Sequence, residues 1–212
     1  MVQSIVTKKS GKRKRSDVSE NDCACRTGAT SRRAVIQGGV GLGVSLALPE
    51  IALAQADPRT TRPRAGDFLV KDGDKSNKPL TPADIVLHAE QTFAWAVEPN
   101  EQIVRSGSRL NGIILLRYEA SELTPETLAR SADGIVAYTQ ICTHNGCDVT
   151  DWIPAERVIQ CGCHFTKYDP RDSARITEGP APRPLPALPL KIVDGKLFVA
   201  AAYTDRVGFE QA

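Results

Sequence analysis

Hydrophobic positions along this chain fall into two regimes. From Ala34 to Leu48 they form one apolar, glycine-rich stretch, whereas beyond Asp67 they come in short runs cut by Gly, Pro, Asn and Asp. Short punctuated runs read as strands, so the second regime predicts an all-β fold. The clearest strands are Ile113 to Tyr118 (IILLRY) and Ile135 to Gln140 (IVAYTQ), and the folded part begins near Asp67-Phe68-Leu69-Val70. Between those two strands, Thr124-Pro125-Glu126 reads as an N-cap with proline in the first turn, opening a short crossover helix to about Ala132. Near the end, Leu190 to Val193 and Lys196 to Val199 flank Asp194-Gly195, a two-residue hairpin signal of the type I′ class. No internal repeat is present.

The chain has 212 residues, room for one domain and a targeting segment. Its formal charge of +2 hides an asymmetry: residues 1–54 hold nine Lys/Arg and four Asp/Glu, which leaves eighteen against twenty-one, or −3, in 55–212. No basic nucleic-acid surface is implied, and KKSGKRKR (8–15) belongs to the charged region that precedes an apolar targeting segment. Ser31-Arg32-Arg33 followed by the apolar stretch resembles a twin-arginine export signal, with Val35 where such signals usually carry Phe. Ala52-Leu53-Ala54 and Ala54-Gln55-Ala56 both offer a signal peptidase small residues. Ala34 to Leu48 is short of the ~20 residues of a spanning helix, and Ile51 to Ala54 must be added for it to serve as a retained anchor, the reading we prefer. Residues 1–54 are therefore a signal or membrane anchor, 55–66 a proline-bearing linker, and 67–212 the domain. Cys23 and Cys25 precede the arginines and read as bystanders.

Candidate chemistry concentrates in one stretch. Cys142-x-His144 and Cys161-x-x-His164 are separated by sixteen residues and offer two thiols and two imidazoles from two loops. Zinc takes such a set tetrahedrally; a [2Fe-2S] cluster takes it with two Cys on one iron and two His on the other. Each loop carries one further cysteine, Cys147 and Cys163, which a zinc ribbon does not need. Those two can pair in an oxidising compartment. Strand 135–140 delivers the first loop, Arg157 to Gln160 lead into the second, and Asp151 to Glu156 turn between them. His88 has no partner at ligand spacing and reads as a surface or core residue, while Trp95 and Trp152 stay unassigned.

CTHNGC (142–147) and CGCH (161–164) resemble the two ligand boxes of the Rieske iron–sulfur family. Gly179-Pro180-Ala181-Pro182, followed by Arg183-Pro184-Leu185, resembles the family's proline-rich loop over the cluster. The resemblance covers about 134–200. It implies an antiparallel β sandwich with a cluster-binding subdomain of two loops, and one [2Fe-2S] cluster held by Cys142, His144, Cys161 and His164. It also implies a Cys147–Cys163 disulfide over the cluster and outward-facing histidines. Thr166, where the family has Ser, and Tyr168 then tune the potential by donating hydrogen bonds to the sulfurs, towards the positive end of roughly −150 to +300 mV. Asn145 stands where the family presents Leu, and Phe165 where it has Gly.

Electron transfer is the implied activity. In the first reading the chain is the Rieske subunit of a cytochrome bc type complex. A ligand histidine accepts a hydrogen bond from quinol beside a cytochrome b, and the electron passes to a c-type cytochrome. In the second it relays electrons from the molybdenum subunit of a periplasmic oxidoreductase of the arsenite oxidase kind, whose second box CHFT (163–166) resembles closely. A dioxygenase ferredoxin is disfavoured by the export signal and the extra cysteines. The expectation is an exported carrier on the periplasmic side of the bacterial inner membrane, not catalytic alone, with quinol oxidation the leading role.

Overall fold

The structure, a computed structural model, describes residues 57–209. The twin-arginine and anchor segment, with Cys23 and Cys25, lies outside the described residues. Among the described residues no helix is long and apolar enough to cross a membrane.

Eleven antiparallel strands build the described chain: β1 (Phe68–Lys71), β2 (Thr92–Glu98), β3 (Ile103–Val104), β4 (Ile113–Arg117), β5 (Ile135–Thr139), β6 (Val149–Ile153), β7 (Val158–Cys161), β8 (Lys167–Asp169), β9 (Arg175–Glu178), β10 (Leu190–Val193) and β11 (Lys196–Val199). Seven form one sheet in the order β10-β11-β1-β2-β4-β5 with β3 on β2, and β6-β7-β8-β9 form a second. The large sheet curls until β5 meets the chain ahead of β10, where Leu188 N–H donates to the Ala137 carbonyl and Thr139 N–H to that of Pro186. The β10–β11 turn has Asp194 at φ 48 and Gly195 at φ 72, the left-handed pair that a type I′ turn requires.

β4 and β5 form a wall between two cores. Ile113 and Leu115 of β4, with Ile135 and Ala137 of β5, face a core inside the large sheet that also holds Leu69, Leu190 and Leu197. Their sequence neighbours Ile114, Leu116, Val136 and Tyr138 face the small sheet and pack with Val149, Ile159, Tyr168 and Leu185. Period-two alternation thus buries both faces, which is why these strands read as continuous apolar runs. Polar tips tie the wall to the small sheet: Tyr138 donates to the Pro170 carbonyl at 2.7 Å and Tyr118 to that of Arg157 at 3.0 Å.

Three local expectations are corrected. The helix opened by Thr124, whose hydroxyl accepts from Thr127 N–H, is a single turn, α1 (Pro125–Leu128), and does not reach Ala132. Ala132 is instead extended and bonded both ways with Ile135 across an Asp133-Gly134 turn, φ 53 and 72. Nor is α1 a crossover, because β4 and β5 pair directly and antiparallel. Finally, Asp151 to Ile153, expected to turn, belong to β6, and the reversal lies after them, where Arg157 takes φ 56 and donates to the Ile153 carbonyl.

Part of the stretch read as a linker is held against the domain. The buried Asn111 amide donates to the Thr61 carbonyl at 2.8 Å and accepts from Arg62. Asp67, also buried, holds Arg105 through two bonds and accepts from Arg64 N–H. Residues 61 to 67 are therefore docked on the domain by their own polar groups.

Candidate metal centre

Two loops of one design carry the candidate ligands. In the first, after β5, Gly146 N–H donates to the Cys142 carbonyl and Cys142 N–H to that of Cys147. In the second, after β7, Phe165 N–H donates to the Cys161 carbonyl and Cys161 N–H to that of Thr166. Each turn needs a left-handed residue four places beyond its cysteine: Gly146 at φ 73 and Phe165 at φ 56. Glycine suits that backbone and phenylalanine is strained there, which explains why the resemblance leads one to expect Gly at 165. The ring of Phe165 points out, 63% exposed.

These turns bring the sequence-identified donors together in two pairs, Cys142 beside Cys161 and His144 beside His164. Cys142 and Cys161 are buried at the base. At the outer end His144 is half-buried and His164 exposed, with their Nδ1 atoms 3.2 Å apart. Cys147 and Cys163 are joined in a disulfide that staples one loop to the other. Their sulfurs lie within 4.8 Å of Cys161 Sγ, but being bonded to each other they leave Cys161 as the thiol free for a metal.

The surrounding residues fit an iron–sulfur cluster. Burial, with Cys142 alongside, pushes the Cys161 thiol up, a shift that a metal's positive charge reverses. Tyr168 is wholly buried with its hydroxyl 3.2 Å from Cys142 Sγ. The hydroxyl of Thr166 is buried and has no partner among the described residues, as expected of a donor whose acceptor is a cluster sulfide. Gly179, at φ 102, lies so close over Thr166 that a Cβ there would sit 2.5 Å from the Thr166 Cα. Of the proline-bearing loop it opens, Pro180 and Pro182 are exposed while Ala181 packs on the second core.

Two residues unmarked in the sequence also shape the site. Thr143 donates to the Arg183 carbonyl at 2.6 Å, joining the first ligand loop to the proline-bearing loop. Arg109 donates to the Gly146 carbonyl and to Asp148, each at 2.8 Å. Thr143 could be suspected from its place beside Cys142; Arg109 left no signal. Elsewhere, His88 is exposed beside Glu122, Trp95 donates to Asp72, and Trp152 packs on the second core.

An all-β chain that presents two cysteine–histidine loops, stapled together, above a buried tyrosine has the build of a small iron–sulfur electron carrier. Comparison with known proteins agrees. A family model described as Rieske [2Fe-2S] domain matches residues 114–189. The cytochrome bc1 complex Rieske iron-sulfur subunit of Streptomyces lividans is 31% identical over 137 residues, 63% of this chain and 80% of that one. The subunit of the same description from Streptomyces coelicolor is 31% identical over 137 residues, and there the chain spans only 38% of the relative. A putative respiratory nitrate reductase subunit Rieske of Haloferax mediterranei is 38% identical over 76 residues, 35% of this chain and 34% of that one. The chain belongs to the Rieske [2Fe-2S] family, and its cofactor is a [2Fe-2S] cluster.

Proposed function

We propose that this chain is an exported electron-transfer subunit in which Cys142 and Cys161 hold one iron and His144 and His164 the other, passing electrons from quinol to a c-type cytochrome in a bc-type complex. The observation that carries the ligand assignment is that two matching turns set the buried Cys142 beside the buried Cys161 and His144 beside His164. When bound, a cluster with imidazole on one iron supplies a one-electron couple above that of all-cysteine centres.

The chain's own residues divide the remaining work. His164, the more exposed imidazole, offers an edge to a partner or to a quinol hydroxyl. Tyr168 holds its hydroxyl 3.2 Å from Cys142 Sγ, the buried and unpartnered hydroxyl of Thr166 is available to a cluster sulfur, and donors there stabilise the more negative reduced state. The disulfide fixes the spacing of the loops, and it suits an oxidising compartment, in keeping with residues 1–54 as a twin-arginine signal or anchor. Support for the bc-type assignment comes from the two Streptomyces relatives, which are subunits of cytochrome bc1 complexes. A relay role in another oxidoreductase is the second reading, favoured by the nitrate reductase relative and by the Phe165-Thr166 pair of the second box.

The test is recovery of the tagged full chain from detergent-solubilised membranes and from the periplasmic fraction, with optical spectra and metal analysis of what accompanies it. Co-purification from membranes with b- and c-type haem is the expected result. Recovery from the soluble fraction with molybdenum replaces the bc-type assignment by the relay role. Retention of the reduced-state EPR signal after Cys142→Ser or His164→Ala overturns the ligand set.

A further inference from the structure

The chain that follows β11 returns to the ligand loops. Tyr203 packs on the first core, and Thr204 is bonded to Ala187 in both directions, its N–H donating at 2.9 Å and its hydroxyl accepting at 3.0 Å. From there the segment crosses to the proline-bearing loop, where Arg183 grips it. Nη1 donates to Asp205 at 3.2 Å, and Nη2 donates to the Arg206 and Gly208 carbonyls at 2.8 and 2.6 Å. The next residue, Phe209, lays its ring against Gly146, so closely that a Cβ on Gly146 would meet the ring at 2.8 Å.

Arg183 is therefore a node for three segments. Its carbonyl accepts from Thr143 in the first ligand loop, its backbone belongs to the proline-bearing loop, and its guanidinium holds the segment that carries Phe209. Gly146 lies between Asn145 at the loop tip and Cys147 of the disulfide, and Arg109 binds its carbonyl from another direction. Phe209 is 41% exposed, so its ring is a cover on this loop with one face to solvent. Local opening of the loop must first displace that ring.

We propose that residues 204–209 form a clasp on the first ligand loop, in which Arg183 and Phe209 are positioning residues that slow the loop's opening and so the release of the cluster. The inference rests on the ligand assignment above for its consequence, but the contacts that define the clasp do not. Neither residue donates to a ligand sulfur in this arrangement, so their effect is on the rate of opening.

The test uses the full chain and the substitutions Phe209→Ala, Phe209→Leu and Arg183→Ala. Bleaching of the visible spectrum after addition of a chelator should be about tenfold faster in Phe209→Ala and Arg183→Ala, the effect of losing one modest packing contact, with Phe209→Leu restored towards the parent. Hydrogen exchange at the Gly146 and Cys147 amides should accelerate in the first two variants while β1 and β2 amides keep the parent rate. Unchanged exchange at Gly146, or acceleration spread evenly over the large sheet, overturns the clasp. The exchange arm reads the clasp with or without a cluster, whereas absence of the EPR signal from the parent protein itself would count against the ligand assignment alone.

Discussion

Tyr168 is wholly buried, and burial pushes its hydroxyl well above the ordinary tyrosine value, so it remains a proton donor over the working pH range. Two oxygen or sulfur acceptors are in reach: Cys142 Sγ at 3.2 Å and Thr143 Oγ1 at 3.3 Å. Thr143 directs its own proton to the Arg183 carbonyl. In the proposed ligand set Cys142 is a thiolate and the stronger acceptor for Tyr168. Tyr168→Phe should lower the midpoint potential. A difference of about 1–2 kcal/mol between oxidation states corresponds to roughly 40–90 mV at 59 mV per tenfold for one electron. A redox titration followed by EPR checks this, and an unmoved potential places the hydroxyl away from the sulfur that matters. The candidate ligands, and Thr166 and Tyr168 beside them, could be singled out in the sequence because they sit at fixed short spacings from one another. The Thr143 to Arg183 bond was not, since it joins residues brought together only by the fold.

At the scale of elements, the wall formed by β4 and β5 decides how the site is supported. Adjacent residues there serve different cores: Ile113 the interior of the large sheet, Ile114 the space under the ligand loops. Both are fully buried, and truncation of either to alanine should destabilise the domain by about 2–5 kcal/mol. Only Ile114→Ala is expected to speed cluster loss beyond what its denaturant midpoint accounts for. Equal loss rates in the two variants would mean that the cores do not act separately. The strands themselves were legible from apolar runs bounded by turn residues, and the Asp194-Gly195 hairpin from its dipeptide. The helix reads too long in the sequence because its cap is strong while its end is marked only by Asp133-Gly134, a turn dipeptide beyond it. β6 is hidden because Thr150 and Asp151 interrupt its apolar pattern while its pairing with β7 supplies the order.

For the molecule as a whole, Glu122 clips the small sheet to the large one. Its carboxylate meets His88, which precedes β2, at 2.5 Å, and Arg157, which precedes β7, at 2.5 Å. His88 foremost, then the Glu119 N–H and Arg157, hold its pKa down to about 2 from an ordinary 4.5. A carboxyl depressed in the folded state contributes stability that is present above its unfolded value and is lost as pH falls through the folded one. The contribution should therefore fade between pH 4.5 and about 2. Urea midpoints of the parent and Glu122→Gln across that window check it: the parent should lose more stability on acidification, and parallel curves would show that Glu122 carries no such load. None of this clip was visible in the sequence, where His88 had no neighbour to suggest a role. The outward placement of the histidines was expected from resemblance, and the structure adds that His164 is the more exposed of the two.

The alternation along β4 also restricts how this protein can change length. One residue inserted into or deleted from β4 or β5 would send every side chain beyond it to the opposite face. In a sheet with one wet face, such a change mixes core with solvent; here it would exchange the contents of two differently shaped interiors, and both would fail to fill. Gains and losses of residues in related chains should accordingly collect in the connections, such as the reversal between β6 and β7, and spare the shared wall.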